Sequence, residues 1–335
     1  MMKTESVLVQ NLCVPCACRC RYCLLSWDGK PVGVSWERST AFAQSFGQWL
    51  QLNRPDLHFS FAFGYSMEHP ELKKTLQFLR RIGSPQAQFL QCDGMRMRTR
   101  AECEDLAQML AEEGVKHLNF TFYGLPDYHD RFAGRRGDFS LMLRMMCAAE
   151  ASGLTVSAGI PLTSESACQV DALINILRNQ ASCQQITLFV PHEEGRGVTL
   201  QGIRFSEDDL QQLSPDSRAL FSRKTYRPER EWVIECDFTE EIGRTLIISL
   251  RQDNIDRYAS LSPEEIIAEA EALDDAYYSV FPTLPELAVK YGNPESRLFY
   301  RQRDLFYHYR RLFAQEYHIP VYDVTDERQT GSRRY

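Results

Sequence analysis

Between Val7 and Val190 short apolar runs take turns with longer amphipathic ones. Val7-Leu8-Val9 reads as a short buried strand, Trp36 to Leu52 as a helix, and Leu57 to Phe63, apolar at alternate positions, as a second strand. A helix from Glu71 to Ile82, stopped by Gly83 and Pro85, leads to strand Gln88 to Gln91 and then to helix Arg100 to Glu113. Strand His117 to Phe122, helix Asp138 to Ser152, strand Leu154 to Ile160, helix Ala167 to Arg178 and strand Gln185 to Val190 complete the series. Six strands separated by helices predict right-handed βαβ crossovers and a parallel sheet, so the class is α/β. Neither a Gly-x-Gly-x-x-Gly turn nor a P-loop occurs, and no phosphate-cradling signature supports a Rossmann arrangement.

From Arg204 the pattern changes and helical signals dominate. Ser206 and Ser262 stand where helix caps do, and Glu265 completes a capping box with Ser262. The runs Trp232 to Glu235 and Thr245 to Leu250 predict a short strand pair that extends the sheet or covers it. Phe299 to Arg311 interleaves aromatics with arginines on a predicted helix. Such a surface can bind single-stranded RNA or a leader peptide; the preferred reading is an amphipathic helix whose aromatics pack on the preceding domain while its arginines face water. The polar tail from Asp326 to Tyr335 is expected to be mobile.

A formal net charge of -7 argues against a general nucleic-acid footprint. The N-terminus lacks a basic stretch followed by an apolar core, and no apolar run approaches a membrane span, so a cytosolic (cytoplasmic) protein without a membrane partner is expected. Thiols stay reduced there. Cys92, Cys103, Cys147, Cys168, Cys183 and Cys236, scattered singly, then read as buried small hydrophobes.

The other five of the eleven cysteines fall between Cys13 and Cys23. No packing argument asks for that density, and cysteines so close in sequence mostly close loops too tight for unstrained disulfides. Metal chelation is the better reading. Cys16, Cys20 and Cys23 form Cys-x3-Cys-x2-Cys, and no second Cys-x-x-Cys pair follows to close a structural zinc site with four ligands. Three thiolates on a 4Fe-4S cube leave one iron open to an exogenous ligand.

Cys-x3-Cys-x2-Cys with Tyr22 just before its last cysteine resembles the radical S-adenosylmethionine (radical SAM) superfamily. The resemblance, which spans roughly residues 7–197, implies a partial (β/α)6 TIM-like barrel over residues 1–203, and the mostly helical stretch 204–335 reads as a substrate-side extension of it. It implies that Cys16, Cys20 and Cys23 hold a single 4Fe-4S cluster, whose open iron takes S-adenosylmethionine (SAM). Reductive cleavage of SAM then yields a 5'-deoxyadenosyl radical that abstracts hydrogen from a substrate. Gly64-Tyr65-Ser66-Met67-Glu68 is similar to the family's Gly-Gly-Glu-Pro stretch, with insertions, and Asp93-Gly94 to its Asn-Gly turn. Thr121-Phe122-Tyr123-Gly124, His129-Asp130 and Gly137-Asp138-Phe139 follow its strand, glycine, His-Asp and Gly-x-Phe progression, and Gly195-Arg196-Gly197 its Gly-Arg-Gly turn. The implied cofactor-binding set is Tyr22, Gly64, Ser66, Glu68, Thr121 and Ser157.

Cys13 and Cys18 are spare in this register. His129, Asp130 and Arg131 are expected to pin a loop, and His192, Glu193 and Glu194 either face the substrate or lie in a solvated loop. A reductant such as flavodoxin or ferredoxin is the implied partner. A peptide or protein substrate is placed ahead of a small metabolite or a tRNA base. The competing classes are a zinc-binding interaction module and a cluster-bearing protein that does not cleave SAM.

Overall fold

The structure, a computed structural model, describes residues 3–23, 33–64, 67–239, 243–321 and 333–334. The expected alternation is present strand for strand. It runs β1 (Thr4–Asn11), α1 (Trp36–Asn53), β2 (His58–Phe63), α2 (Leu72–Arg81), β3 (Phe89–Gln91), α3 (Arg100–Glu112), β4 (His117–Thr121), α4 (Pro126–Ala133), α5 (Asp138–Ala151), β5 (Thr155–Pro161), α6 (Val170–Ala181) and β6 (Gln185–Phe189). Helix α4 replaces the loop expected around His129. Pro126 in its first turn and the left-handed Gly134 after its last residue bound it, as proline and glycine bound helices generally.

The C-terminal third adds α7 (Glu207–Leu210), α8 (Pro215–Arg218), β7 (Arg227–Pro228), α9 (Glu229–Glu235), β8 (Arg244–Ser249), α10 (Ile255–Ser260), α11 (Pro263–Tyr278), α12 (Leu284–Tyr291), β9 (Phe299–Tyr300), α13 (Gln302–Glu316) and β10 (Arg333–Arg334). The predicted strand at Trp232 is therefore a helix, which starts directly after Pro228 with Glu229 and Glu231 in its first turn. The strand expected at Thr245 does form and lies parallel to β1. Ser206 and Ser262 cap α7 and α11 as expected.

Among the described residues the strands make two four-stranded sheets, ordered β10-β8-β1-β2 and β3-β4-β5-β6, in which every pairing but that of β10 is parallel, and a small antiparallel pair of β7 with β9. The expected wall is thus not closed: β2 and β3 do not pair, and a cavity of about 170 Å³ lined by Phe61, Phe63, Leu76, Leu90 and Gln91 lies between them. Each sheet has one apolar face under helices. Leu118, Phe120, Val156, Ile160 and Leu188 pack with α3, α5 and α6, whereas Val7, Val9, Phe61, Leu246 and Ile248 pack with α1, α2 and α11. Each such side chain stabilises the fold by about 1.5–3 kcal/mol when fully buried.

Period-two alternation puts amides and hydroxyls on the other face. Asn119 donates to Gln91 Oε1 at 2.6 Å, Ser157 donates to Asn119 Oδ1 at 2.6 Å, and the His117 ring bridges Ser157 and Thr155 at 2.7 Å each. Gln91 and Thr155 remain exposed, so this ladder borders open space.

A third apolar cluster lies wholly in the C-terminal third. Tyr277, Tyr278, Phe281, Phe306, Tyr307 and Tyr309 join Trp232 and Leu287. The aromatics of α13 pack there, on α11 and α12, rather than on the preceding domain. Among the described residues no helix is long and apolar enough to cross a membrane.

Candidate metal centre

Strand β1 delivers the chain to the cysteine loop at its C-terminal end. There the buried Asn11 accepts from Val34 N–H at 2.9 Å and donates to Val34 C=O at 3.1 Å, tying the start of the excursion to its return. Four backbone bonds then seat the loop. Ala17 donates to Gly94 C=O (2.9 Å), Arg19 to Ala133 C=O (2.7 Å), Arg21 to Phe132 C=O (3.0 Å), and Arg196 donates to Cys23 C=O (2.9 Å). The loop after β1 therefore touches the segments that follow β3, β4 and β6, the strand ends where parallel α/β folds gather ligands. Gly94 is needed there twice over. Its φ is +69°, and a Cβ on it would come within 2.2 Å of Cys16 Sγ.

All eleven cysteines are free. Cys13, Cys16, Cys20 and Cys23 are partly buried, while Cys18 is 4% exposed. The Cys18 backbone N–H donates to Cys16 Sγ at 3.4 Å, and its thiol donates to Asp138 Oδ1 at 3.7 Å. Cys20 Sγ accepts from the Tyr123 hydroxyl at 3.1 Å. The Cys18 thiol beside it, together with burial, pushes the Cys16 thiol far above its ordinary range, and burial raises Cys13. Cys16, Cys18 and Cys20 lie in one apolar cluster with Tyr22. Cys23 joins them through its backbone, which donates to Cys20 C=O at 3.2 Å. Among the described residues no three Cys, His, Asp or Glu side chains are arranged as a metal cage. The donor set itself, thiols on one short anchored loop, is that of a thiophilic metal.

Two carboxylates flank the loop, Asp138 buried and Asp93 half-buried. Asp138 accepts from His129 Nε2 at 3.0 Å and from the Arg135 guanidinium. Burial alone would raise its carboxyl, but those two partners hold it below the usual range. Asp93 accepts from Thr121 N–H (3.1 Å) and Oγ1 (2.8 Å) and from Gln91 (2.5 Å). Here burial wins and pushes the carboxyl up to about 6. Between them Tyr22 packs on Tyr123, Phe132 and Phe189 with ring centroids 5.5, 6.0 and 6.3 Å away, an apolar shield beside Cys20.

The predicted cofactor residues are spread around this centre. Gly64 (φ +53°) sits under the loop, its N–H donating to Asn11 C=O, with a hypothetical Cβ 2.6 Å from Val14. Thr121 and Ser157 lie on the open face, Thr121 at Asp93 and Ser157 in the ladder. Glu68 does not start a helix; its carboxylate is bound to Arg98 and to Arg96 N–H (2.9 Å). Ser66 lies outside the described residues. His129 is buried in α4 and braces Asp138 rather than facing open space.

On the far side of the loop, Glu193 neither faces a substrate nor lies in solvent. It is 2% exposed and ion-paired with Arg204 and with Arg311 at 2.7 Å, while His192 contacts Arg301 and Arg303 approaches Glu194 at 3.6 Å. The arginines of α13 are therefore turned inward. Arg310 is buried among the rings of Tyr277, Tyr278, Phe281, Phe306 and Tyr307. Cys92, Cys103 and Cys183 are buried as expected, but Cys168 and Cys236 are exposed. Tyr123, Arg135 and Asp138 are the residues whose roles sequence reasoning missed. A tyrosine two residues past a strand end, and an acid one residue past the left-handed Gly137, were the available signals.

No protein-family profile matches the chain, and no curated protein matches it. The chain resembles radical SAM enzymes of known structure. SuiB of Streptococcus suis bound to precursor peptide SuiA is 11% identical (TM-score 0.46) over 63% of this chain and 45% of that one. Escherichia coli coproporphyrinogen III oxidase HemN, a radical SAM enzyme, is 11% identical (TM-score 0.44) over 74% of this chain and 64% of that one. The radical SAM methyltransferase TsrM of Kitasatospora setae, solved with cobalamin and a [4Fe-4S] cluster, is 16% identical (TM-score 0.34) over 56% and 37%. The chain spans less than two thirds of each of these proteins.

Proposed function

We propose that the protein is a radical SAM enzyme built on a partial (β/α)6 barrel. The observation that supports this most is the cysteine loop itself, three thiols in Cys-x3-Cys-x2-Cys seated by backbone bonds over the segments that follow β3, β4 and β6. In this reading Cys16, Cys20 and Cys23 hold a 4Fe-4S cluster, and Tyr22, Gly64, Ser66, Glu68, Thr121 and Ser157 border SAM. The cluster with SAM supplies the reductive cleavage that generates a 5'-deoxyadenosyl radical. The chain's own part is to bind and to exclude water, for which Tyr22, Tyr123, Phe132 and Phe189 shield the thiols and the amide and hydroxyl ladder faces the open space. Because the Cys16 thiol holds its proton tightly, metal uptake releases protons and strengthens as pH rises.

A ladder of neutral amides and hydroxyls suits a peptide chain, which offers matching donors and acceptors without charge. Exposed Arg19, Arg21, Arg131 and Arg136 around the loop offer an acidic electron donor, such as flavodoxin or ferredoxin, a basic landing face on an otherwise acidic chain.

Anaerobic reconstitution with iron and sulfide, then dithionite and SAM, tests the proposal. Wild type is expected to form 5'-deoxyadenosine, and Cys16→Ala to lose both iron and product. A brown protein that never forms product would favour a cluster without SAM cleavage, and a colourless one that keeps zinc in air would overturn the proposal.

A further inference from the structure

Tyr123 stands two residues beyond the end of β4, and its neighbours fix it closely. Thr121 turns to Asp93, Phe122 is fully buried in the core behind the sheet, and Tyr123 returns to the front at 3% exposure. Its ring stacks on Phe132 (centroids 4.7 Å apart), lies 4.9 Å from His129 and meets Tyr22 edge-on. Its backbone N–H donates to His129 Nδ1 at 3.2 Å, so the neutral imidazole carries its proton on Nε2 and donates that to Asp138 at 3.0 Å. Arg135 holds Asp138 in turn. Backbone and ring are thus set by a chain of buried bonds, and the hydroxyl they aim reaches Cys20 Sγ at 3.1 Å.

A buried phenol needs a hydrogen-bond partner, and here the partner is a sulfur. A thiolate accepts such a bond far better than a thiol does, because the acceptor is charged and the surroundings are apolar. A donor on a cluster thiolate draws charge from the sulfur and favours the more electron-rich, reduced state. We propose that Tyr123 is a positioning residue that orients Cys20 and raises the reduction potential of the centre Cys20 helps to bind. This rests on the cluster reading given above.

Tyr123→Phe removes one oxygen and keeps the ring. Tyr128→Phe is its control, because the Tyr128 hydroxyl belongs to the same aromatic cluster but bonds Thr163 (3.0 Å) and Glu165 (3.2 Å). Iron and sulfide per chain are measured first, and then the midpoint potential by an EPR-monitored reductive titration. The expected result is a shift to lower potential in Tyr123→Phe and none in Tyr128→Phe. An unshifted potential in Tyr123→Phe, whether its cluster loads fully or only in part, overturns the inference and leaves the cluster standing. A wild type that takes up no iron overturns the cluster reading, and the inference goes with it.

Discussion

Asp138 and Glu193 are both carboxylates buried to within 3% of full cover, both held below their usual pKa range by hydrogen-bonding and arginine partners in spite of that burial, and both near the cysteine loop. Their partners point in opposite directions. Asp138 joins α4 to α5 and spends a further contact on the Cys18 thiol, so its network ends at the loop. Glu193 gathers Arg204, Arg311 and Gln201, while its own N–H donates to Asp304 of α13, so that network fastens the C-terminal third to the end of β6. One network serves a site and the other an attachment. What distinguishes them is where each network ends, one at the Cys18 thiol and the other in α13.

Glu193→Ala tests that contrast most severely. It strands Arg204 in the interior and leaves the half-buried Arg311 without its counter-charge, and breaking a buried pair by removing one partner costs about 3–5 kcal/mol. Urea unfolding should read that loss. Replacing Glu193, Arg204 and Arg311 together by methionine should restore much of it, since apolar groups in all three places leave no stranded charge. A loss below about 1 kcal/mol in Glu193→Ala would mean that the attachment does not depend on this pair.

A smaller effect is expected from acid. Both folded-state carboxyls lie below their unfolded values of about 3.9 and 4.3, so their stabilisation is complete above those values and is lost as pH falls through the lowered folded ones. Stability measured from pH 6 downward should therefore start to fall near about pH 4. Glu193→Gln should fall less steeply than wild type, and parallel curves would assign the acid response to other groups.

The smallest change is expected from Cys18→Ala. It gives up a weak S–H bond to Asp138 and a little packing, about 1 kcal/mol, and should leave iron content unchanged. Iron lost on that substitution alone would place Cys18 among the ligands and shift the register of the motif.

The β/α alternation was legible because each strand and helix announces itself over a few neighbouring residues. Helix α4 was hidden by the polar run His129-Asp130-Arg131, although Pro126 and Gly134 marked its ends. Trp232 to Glu235 misled because three apolar residues before a glutamate carry no period of their own, and only the preceding Pro228 and Glu229 favoured a helix. The inward turn of the α13 arginines could not be read locally, since their counter-charges lie on the loop after β6, and local polarity says nothing of such pairings. The cysteine loop was plain as chemistry. Its anchors at Gly94, Ala133 and Arg196 were visible only as separate turns and helix ends.

Strand β1 has one neighbour close behind it in sequence, β2, and another, β8, that begins at Arg244. On a ribosome the cysteine loop is therefore made long before the strand that completes its sheet. At about 5–20 residues per second, the stretch from Cys23 to Ser249 takes roughly 10–45 s to emerge. Pairings this distant in sequence also form slowly once their partners exist. Under the cluster reading proposed above, that interval is when the thiols stand open to metal carriers and to oxygen, before β8 is in place beside β1.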